Sequence, residues 1–118
     1  MADYALMVGW GVPVRGREQQ AAKVFGEAVE LYTQLQQQGR IAGFEAFFLE
    51  PHGGDLGGFF LLRGERDDLA QVRTSDDFAR VSLRANQVVE NFGVVAAETG
   101  GRVEQLMGEF LEAARDLS

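Results

Sequence analysis

The sequence predicts an α+β fold whose elements follow one another as strand, helix, strand, strand, helix and strand, with one added helix at the C-terminal end. Two patterns support this prediction. Some stretches alternate apolar and other side chains with a period of two, and others repeat apolar residues every three or four positions. Glycine and proline separate these stretches. The length of 118 residues predicts a single domain, which we assign to residues 1–118.

Composition and charge exclude several classes of function. The chain has 11 Lys and Arg against 18 Asp and Glu, a formal net charge of -7, so we expect neither nucleic acid nor an anionic membrane as a partner. The absence of cysteine excludes disulfides, cysteine-ligated metals and a thiol nucleophile. An acidic residue near the start and no long apolar stretch predict a cytoplasmic protein without a signal peptide.

The first strand and the first helix are the clearest elements. Alternation predicts a strand in which one face carries Tyr4, Leu6, Val8, Trp10 and Val12. Pro13 ends this strand because it lacks a backbone donor. The helix that follows has a buried stripe made of Ala21, Val24, Phe25, Ala28, Leu31, Tyr32 and Leu35. Gly39 is placed to stop it.

The middle of the chain predicts a β-hairpin. Residues 41–50 and 58–63 are rich in Phe and Leu, and a Pro- and Gly-rich connection separates them. In the polar segment after Arg63, Leu69 and Val72 mark a short helical turn. Thr74 or Ser75 then caps a second main helix. Its buried stripe consists of Phe78, Val81, Ala85 and Val88.

Residues 92–97 are predicted to form a fourth strand, because the helical period breaks near Asn91 and Gly93. The alternative is that the second helix continues past Asn91, since an apolar run this short is ambiguous. A final helix follows, with an apolar side that consists of Val103, Leu106, Met107, Phe110, Ala114 and Leu117.

This order is the split βαβ pattern of a ferredoxin-like sandwich, in which two helices cover one face of the sheet. The strands carry apolar residues on both faces, so the uncovered face would expose more apolar surface than a monomer usually shows. We therefore expect a homodimer in which this face packs on a second copy. The final helix, residues 102–117, also needs a partner and could be exchanged between subunits.

The pattern resembles the dimeric α+β barrel superfamily through the order of elements and three segments: Trp10–Val12, Thr74–Phe78 and Phe92–Val95. This superfamily includes antibiotic-biosynthesis-type monooxygenases, chlorite-dismutase-like and EthD-like proteins, and many bacterial proteins of unknown function. The resemblance implies two sheets that meet face to face. It also implies a ligand or active site in a cavity between each sheet and its helices. No catalytic motif accompanies it.

Five residues are candidates for ligand binding: Trp10, Tyr32, Glu45, His52 and Arg63. Glu45 and Arg63 would form a cross-strand ion pair if the hairpin register brings them together, whereas a slip of one residue would separate them. In a pocket they could act as a general base and an anion or carbonyl anchor. The alternative is a structural ion pair at the edge of the dimer interface.

His52 lies in the Gly-rich connection, near Glu50 and Asp55, where it could bind a metal weakly. Catalytic zinc normally needs three ligands on a firm scaffold, so an exposed loop residue is the simpler interpretation. Haem-degrading relatives use an Asn, Trp and His set with the His on a helix, which His52 and Trp10 do not match. We expect no metal and no cofactor.

Two functions remain open. The first is a homodimer that binds a small apolar molecule or a protein partner. The second is a cofactor-independent monooxygenase or isomerase acting on an aromatic or polyketide-like substrate. An open space of about 300 Å³ or more between the sheet and the helices would favour a binder or an enzyme. A close-packed interior would favour an interaction or scaffold role.

Overall fold

In a computed structural model, which describes residues 3–117, the elements follow in the predicted order with one additional short helix. They are β1 (Tyr4–Trp10), α1 (Glu18–Gln37), β2 (Gly43–Phe48), β3 (Gly58–Gly64), α2 (Arg66–Arg73), α3 (Asp76–Val88), β4 (Gly93–Glu98) and α4 (Gly101–Ala113). The strands form one antiparallel sheet in the order β2-β3-β1-β4. This confirms the ferredoxin-like α+β class. Residues 1, 2 and 118, at the ends of the predicted domain, lie outside the described range.

The register gives the sheet two distinct faces. Leu6 pairs with Leu62 and Val8 with Phe60, and all four side chains belong to the buried core. Helices α1, α2 and α3 contribute the rest of this core. The alternation predicted for β1 is therefore confirmed up to Trp10. The strand ends two residues earlier than predicted.

The connection after β1 explains that shorter strand. The Gly11 amide donates to the Glu90 carbonyl at 2.7 Å, and the Glu90 amide donates to the Val12 carbonyl at 2.8 Å. Val12 thus leaves the sheet and pairs with the segment that follows α3. This local ladder ties the C-terminal end of α3 to the C-terminal end of β1.

The predicted ends of the helices are largely confirmed. Helix α1 ends at Gln37, and Gly39 follows with a φ of 73°, which favours glycine. Ser75, rather than Thr74, caps α3, because its hydroxyl accepts from the Phe78 amide at 3.4 Å. The short turn predicted around Leu69 is an eight-residue helix, α2.

The fourth strand is confirmed, and the alternative of a longer second helix is wrong. Val89 already has an extended conformation, with φ -128° and ψ 156°, so α3 stops at Val88. Asn91 takes a left-handed turn with a φ of 56°. Residues 93–98 then pair with β1, which places Val94 opposite Val8 in the core.

The opposite face of the sheet, which we call the open face, carries the alternate residues of each strand. On β2 and β3 it carries a pair of stacked rings, Phe47 and Phe59, with centroids 4.7 Å apart. Met7 and Leu61 lie beside each other in the next pair of the register and are half-exposed. Val95 on β4 is 55% exposed. The three helices of the core all lie on the other face.

Helix α4 stands apart from this arrangement. None of its residues is buried, although it carries the apolar side that the sequence predicts. No helix among residues 3–117 is long and apolar enough to cross a membrane.

Candidate functional site

A cavity of about 340 Å³ lies between the core face of the sheet and the two long helices. Its floor is formed by the sheet residues Val8, Trp10, Phe48 and Phe60. Its sides come from α1 and α3, which contribute Ala21, Phe25, Ala28, Val81, Ala85 and Val88. Several of these side chains are small, so the facing helices leave unfilled space where larger side chains would have closed the core.

Trp10 shapes the floor of the cavity. Its register partner is Gly58, where an added Cβ would lie only 2.7 Å from Cζ2 of the indole. The absence of a side chain at Gly58 therefore lets the indole lie across β3. Phe25 and Phe48 meet the indole edge-on, with centroids at 6.0 and 6.1 Å. These rings give the cavity an aromatic wall.

Tyr32 lines the cavity from α1. The residue is 2% exposed, and its ring packs against Phe60 and Phe44 with centroids at 5.0 and 5.7 Å. Its hydroxyl has no hydrogen-bond partner within residues 3–117, and no side-chain oxygen there is both sealed off and unpaired. The hydroxyl is therefore not sealed off, and Tyr32 is part of the cavity lining. Burial raises the pKa of Tyr32, so the hydroxyl stays protonated and can donate.

Two more residues with polar groups line the same space. Ser82 lines the cavity from α3, and its hydroxyl has no partner among the described residues. The indole N–H of Trp10 is likewise without a protein acceptor in this part of the chain. Glu18 is the one charged residue of the lining within residues 3–117 and is exposed at the N-terminal end of α1.

An ion pair across α1 and α3 fixes the outer wall. Arg84 donates to both carboxylate oxygens of Glu27, at 2.7 and 2.8 Å. The hydrogen bond from Arg84 lowers the pKa of Glu27, and the same contact raises the pKa of Arg84. A bidentate pair restricts the relative position of two helices more than a single contact does. It helps to hold α1 and α3 at the spacing that leaves the cavity open.

The structure places only two of the five predicted ligand-binding residues at the cavity, Trp10 and Tyr32. Glu45 and Arg63 do meet, since Arg63 Nε donates to Glu45 Oε1 at 3.2 Å, but they do so on the open face. The register pairs Glu45 with Leu61, so both charged side chains point away from the helices. The prediction that they line the cavity is therefore corrected.

His52 also lies outside the cavity. The Gly54 amide donates to Nδ1 at 3.2 Å, which leaves Nε2 to carry the proton and donate to the Leu56 carbonyl at 2.8 Å. The imidazole thus stabilises the β2–β3 connection. Within residues 3–117 no group of three His, Cys, Asp or Glu is placed to hold a metal ion.

Ser82 and Gly58 belong to the site although the sequence pattern did not single them out. A signal existed for Ser82, which lies four residues after Phe78 and three before Ala85, on the apolar stripe of α3. A polar residue on a buried stripe is an informative exception. No comparable signal marks Gly58, because its importance depends on the register with Trp10.

Comparisons with known proteins assign the fold. The sequence matches no protein-family profile and no curated protein sequence. Among solved structures, a protein of the dabb family with a ferredoxin-like fold from Mesorhizobium loti is similar, with a TM-score of 0.67 and 12% identity, covering 86% of this chain and all of that one (100%).

Two further structures extend the comparison. A dimeric ferredoxin-like protein of unknown function from Thermobifida fusca has a TM-score of 0.65 and 8% identity, with 82% of this chain and 91% of that chain covered. A cofactor-independent oxygenase from Streptomyces nogalater has a TM-score of 0.53 and 12% identity, with 83% and 94% covered. The chain has a ferredoxin-like fold, as the sequence pattern predicted.

Proposed function

We propose that this protein is a homodimer that binds a small, neutral, mainly apolar molecule in the cavity between the sheet and the helices. The observation that carries the proposal is the cavity of about 340 Å³, whose lining includes Tyr32 with a hydroxyl that has no hydrogen-bond partner within residues 3–117. A ligand in the cavity that accepts a hydrogen bond from this hydroxyl gains free energy of binding.

The lining determines the class of ligand. The volume lies at the small end of the range for ligand pockets. Among the described residues no lysine or arginine lines the cavity, and the one charged residue of the lining, Glu18, is acidic. A carboxylate or phosphate would therefore lose its hydration without a compensating cation. A molecule with an apolar body and one hydrogen-bond acceptor matches the lining best.

The open face supports the homodimer. Stacked Phe47 and Phe59, together with Met7 and Leu61, give a continuous apolar surface that none of the three core helices covers. Such a surface is typical of a protein interface. The similar protein from Thermobifida fusca is described as dimeric. A cytoplasmic location and a bacterial origin stay predictions.

Catalysis in the same cavity is the alternative. The fold similarity to a cofactor-independent oxygenase is compatible with it. However, burial raises the pKa of Tyr32, so this residue serves as a hydrogen-bond donor rather than as a base. Glu18 is the one carboxylate of the lining. The lining therefore favours binding over proton abstraction.

The test uses two probes of matched shape, the neutral ketone 2-acetonaphthone and the anion 2-naphthoate. Isothermal titration should detect binding of the ketone and at least tenfold weaker binding of the anion, since the cavity has no cation. Tyr32→Phe should weaken ketone binding about fivefold, which corresponds to one hydrogen bond. Tyr4→Phe is the matched control, because the other tyrosine of the chain does not line the cavity.

Two results would contradict the proposal. One is the absence of binding by the ketone and by any small molecule retained through native purification. The other is an equal effect of Tyr32→Phe and Tyr4→Phe. Consumption of oxygen or formation of a product from the ketone would instead support the catalytic alternative.

A further inference from the structure

Helix α4 presents an apolar stripe that no other described part of the chain covers. Phe110 is 65% exposed, Met107 54% and Val103 45%, and no residue of the helix is buried. The stripe is continuous because these positions are three or four residues apart. An isolated helix of 13 residues is marginally stable in water, so α4 needs a surface to pack on.

The course of the chain carries α4 away from its own sandwich. The Thr99 amide donates to the Asp3 carbonyl at 2.7 Å, and Gly100 then turns the chain with a φ of 59°. The described residues have a radius of gyration of 16.4 Å and a longest extent of 54 Å. A compact chain of this length has a radius of gyration of about 13 to 14 Å. The helix therefore projects beyond the core.

The area needed for a stable dimer indicates what covers the stripe. Four strands of about six residues give the open face roughly 20 by 20 Å, or about 400 Å². A specific dimer buries about 800 Å² on each partner. The open face alone supplies about half of that area.

Exchange of α4 supplies the remainder. The helix is about 20 Å long and 10 Å wide, so its stripe covers about 200 Å². In a twofold dimer each copy both gives such a stripe and receives one from its partner, which adds about 400 Å² in each copy. With the open face, the total reaches the size of a stable interface.

We propose that α4 of each subunit packs its apolar stripe on the sandwich of a second copy, so that the two chains exchange their C-terminal helices. This inference rests on the proposed homodimer. The projecting helix then adds interface area to the dimer formed by the open faces and stabilises it.

The first test compares two substitutions that each add one negative charge to α4. Met107→Glu places the charge on the stripe, and Gln105→Glu places it on the opposite, polar side. By sedimentation velocity, Met107→Glu should raise the dimer Kd at least tenfold, whereas Gln105→Glu should change it less than twofold. Because no residue of α4 is buried in its own chain, the sandwich should fold normally in both variants, which circular dichroism checks.

The second test shows which subunit α4 contacts. The chain has no cysteine, so Glu104→Cys provides a single site for a nitroxide label on α4. Subunits that carry the nitroxide and contain nitrogen at natural abundance are mixed with wild-type subunits enriched in ¹⁵N. We expect broadening of ¹⁵N resonances in residues 3–98. Only the nitroxide on α4 of the partner subunit can cause it, because the ¹⁵N-enriched subunits carry no nitroxide.

The outcomes separate this inference from the proposed homodimer. A full-length chain that is monomeric at high concentration contradicts both. A dimer with equal Kd for Met107→Glu and Gln105→Glu, or without broadening between subunits, overturns the helix exchange alone and leaves the dimer of open faces standing.

Discussion

Filling the cavity should stabilise the free protein while it abolishes ligand binding. Ala85 lines the cavity from α3 and is half-buried, so Ala85→Leu directs a larger side chain into the open space. The change adds three carbon atoms. At about 0.8 kcal/mol for each buried CH₂, the upper limit of stabilisation is about 2.4 kcal/mol. Because the mouth of the cavity is open, we expect about 1 to 2 kcal/mol.

The thermal shift follows from the size of the chain. An unfolding entropy of about 2.1 cal/mol/K per residue makes 1 kcal/mol equivalent to about 4 °C here. Ala85→Leu should therefore raise Tm by about 4 to 8 °C, measured by differential scanning calorimetry without ligand. Binding of 2-acetonaphthone should weaken at least tenfold in the same variant.

The matched control is Ala79→Leu, on the exposed side of the same helix. It should change Tm by less than 2 °C, since surface substitutions are usually within about 0.5 kcal/mol. The reasoning is refuted if Ala85→Leu lowers Tm. Overpacking of a filled core typically costs about 1 to 3 kcal/mol, so a lower Tm would mean that the space is already occupied.

Three further predictions follow from the contacts around the cavity. Gly58→Ala should displace the indole of Trp10 and destabilise the protein by about 1 to 3 kcal/mol in urea unfolding, with a change in tryptophan fluorescence; unchanged fluorescence would contradict the contact. Glu27→Gln should lower stability at pH 7. The pKa of Glu27 is lowered in the folded protein by Arg84, so its contribution is present above the ordinary value of 4.5 and is lost as the pH falls through the folded pKa. The gap between wild type and variant should therefore narrow in urea titrations as the pH is lowered below 4.5, and a constant gap would refute this account. Ser75→Ala should cost about 1 kcal/mol in urea unfolding, because it removes the cap of α3, and an unchanged midpoint would show that the cap does not contribute.

Periodicity predicted the elements whose pattern was unambiguous. The apolar stripe of α1 and the alternation of β1 were both confirmed because burial against one core leaves a repeat of fixed period. The ends of elements were harder to predict. Val12 continues the alternation of β1, yet its carbonyl accepts from Glu90, a residue far along the chain. Only the packed structure provides that partner.

Periodicity also explains why only some of the candidate ligand-binding residues lie at the cavity. Trp10 and Tyr32 lie at the cavity because both follow the core-facing pattern of their elements. Glu45 and Arg63 were assigned to it by residue type, although the pleat places them on the other face of the sheet. Residue type indicates what a side chain can do, whereas register determines which space it reaches.

The sequence by itself determined the α+β class, the order of the elements and the excess of apolar surface over what two helices can cover. These properties depend on local periodicity and composition, which the sequence itself contains. The tertiary structure decided that small side chains on α1 and α3 leave a cavity, that the Tyr32 hydroxyl has no partner within residues 3–117, and that α4 projects from the core. These features depend on contacts between segments that are far apart in the sequence, so they exist only in the folded chain.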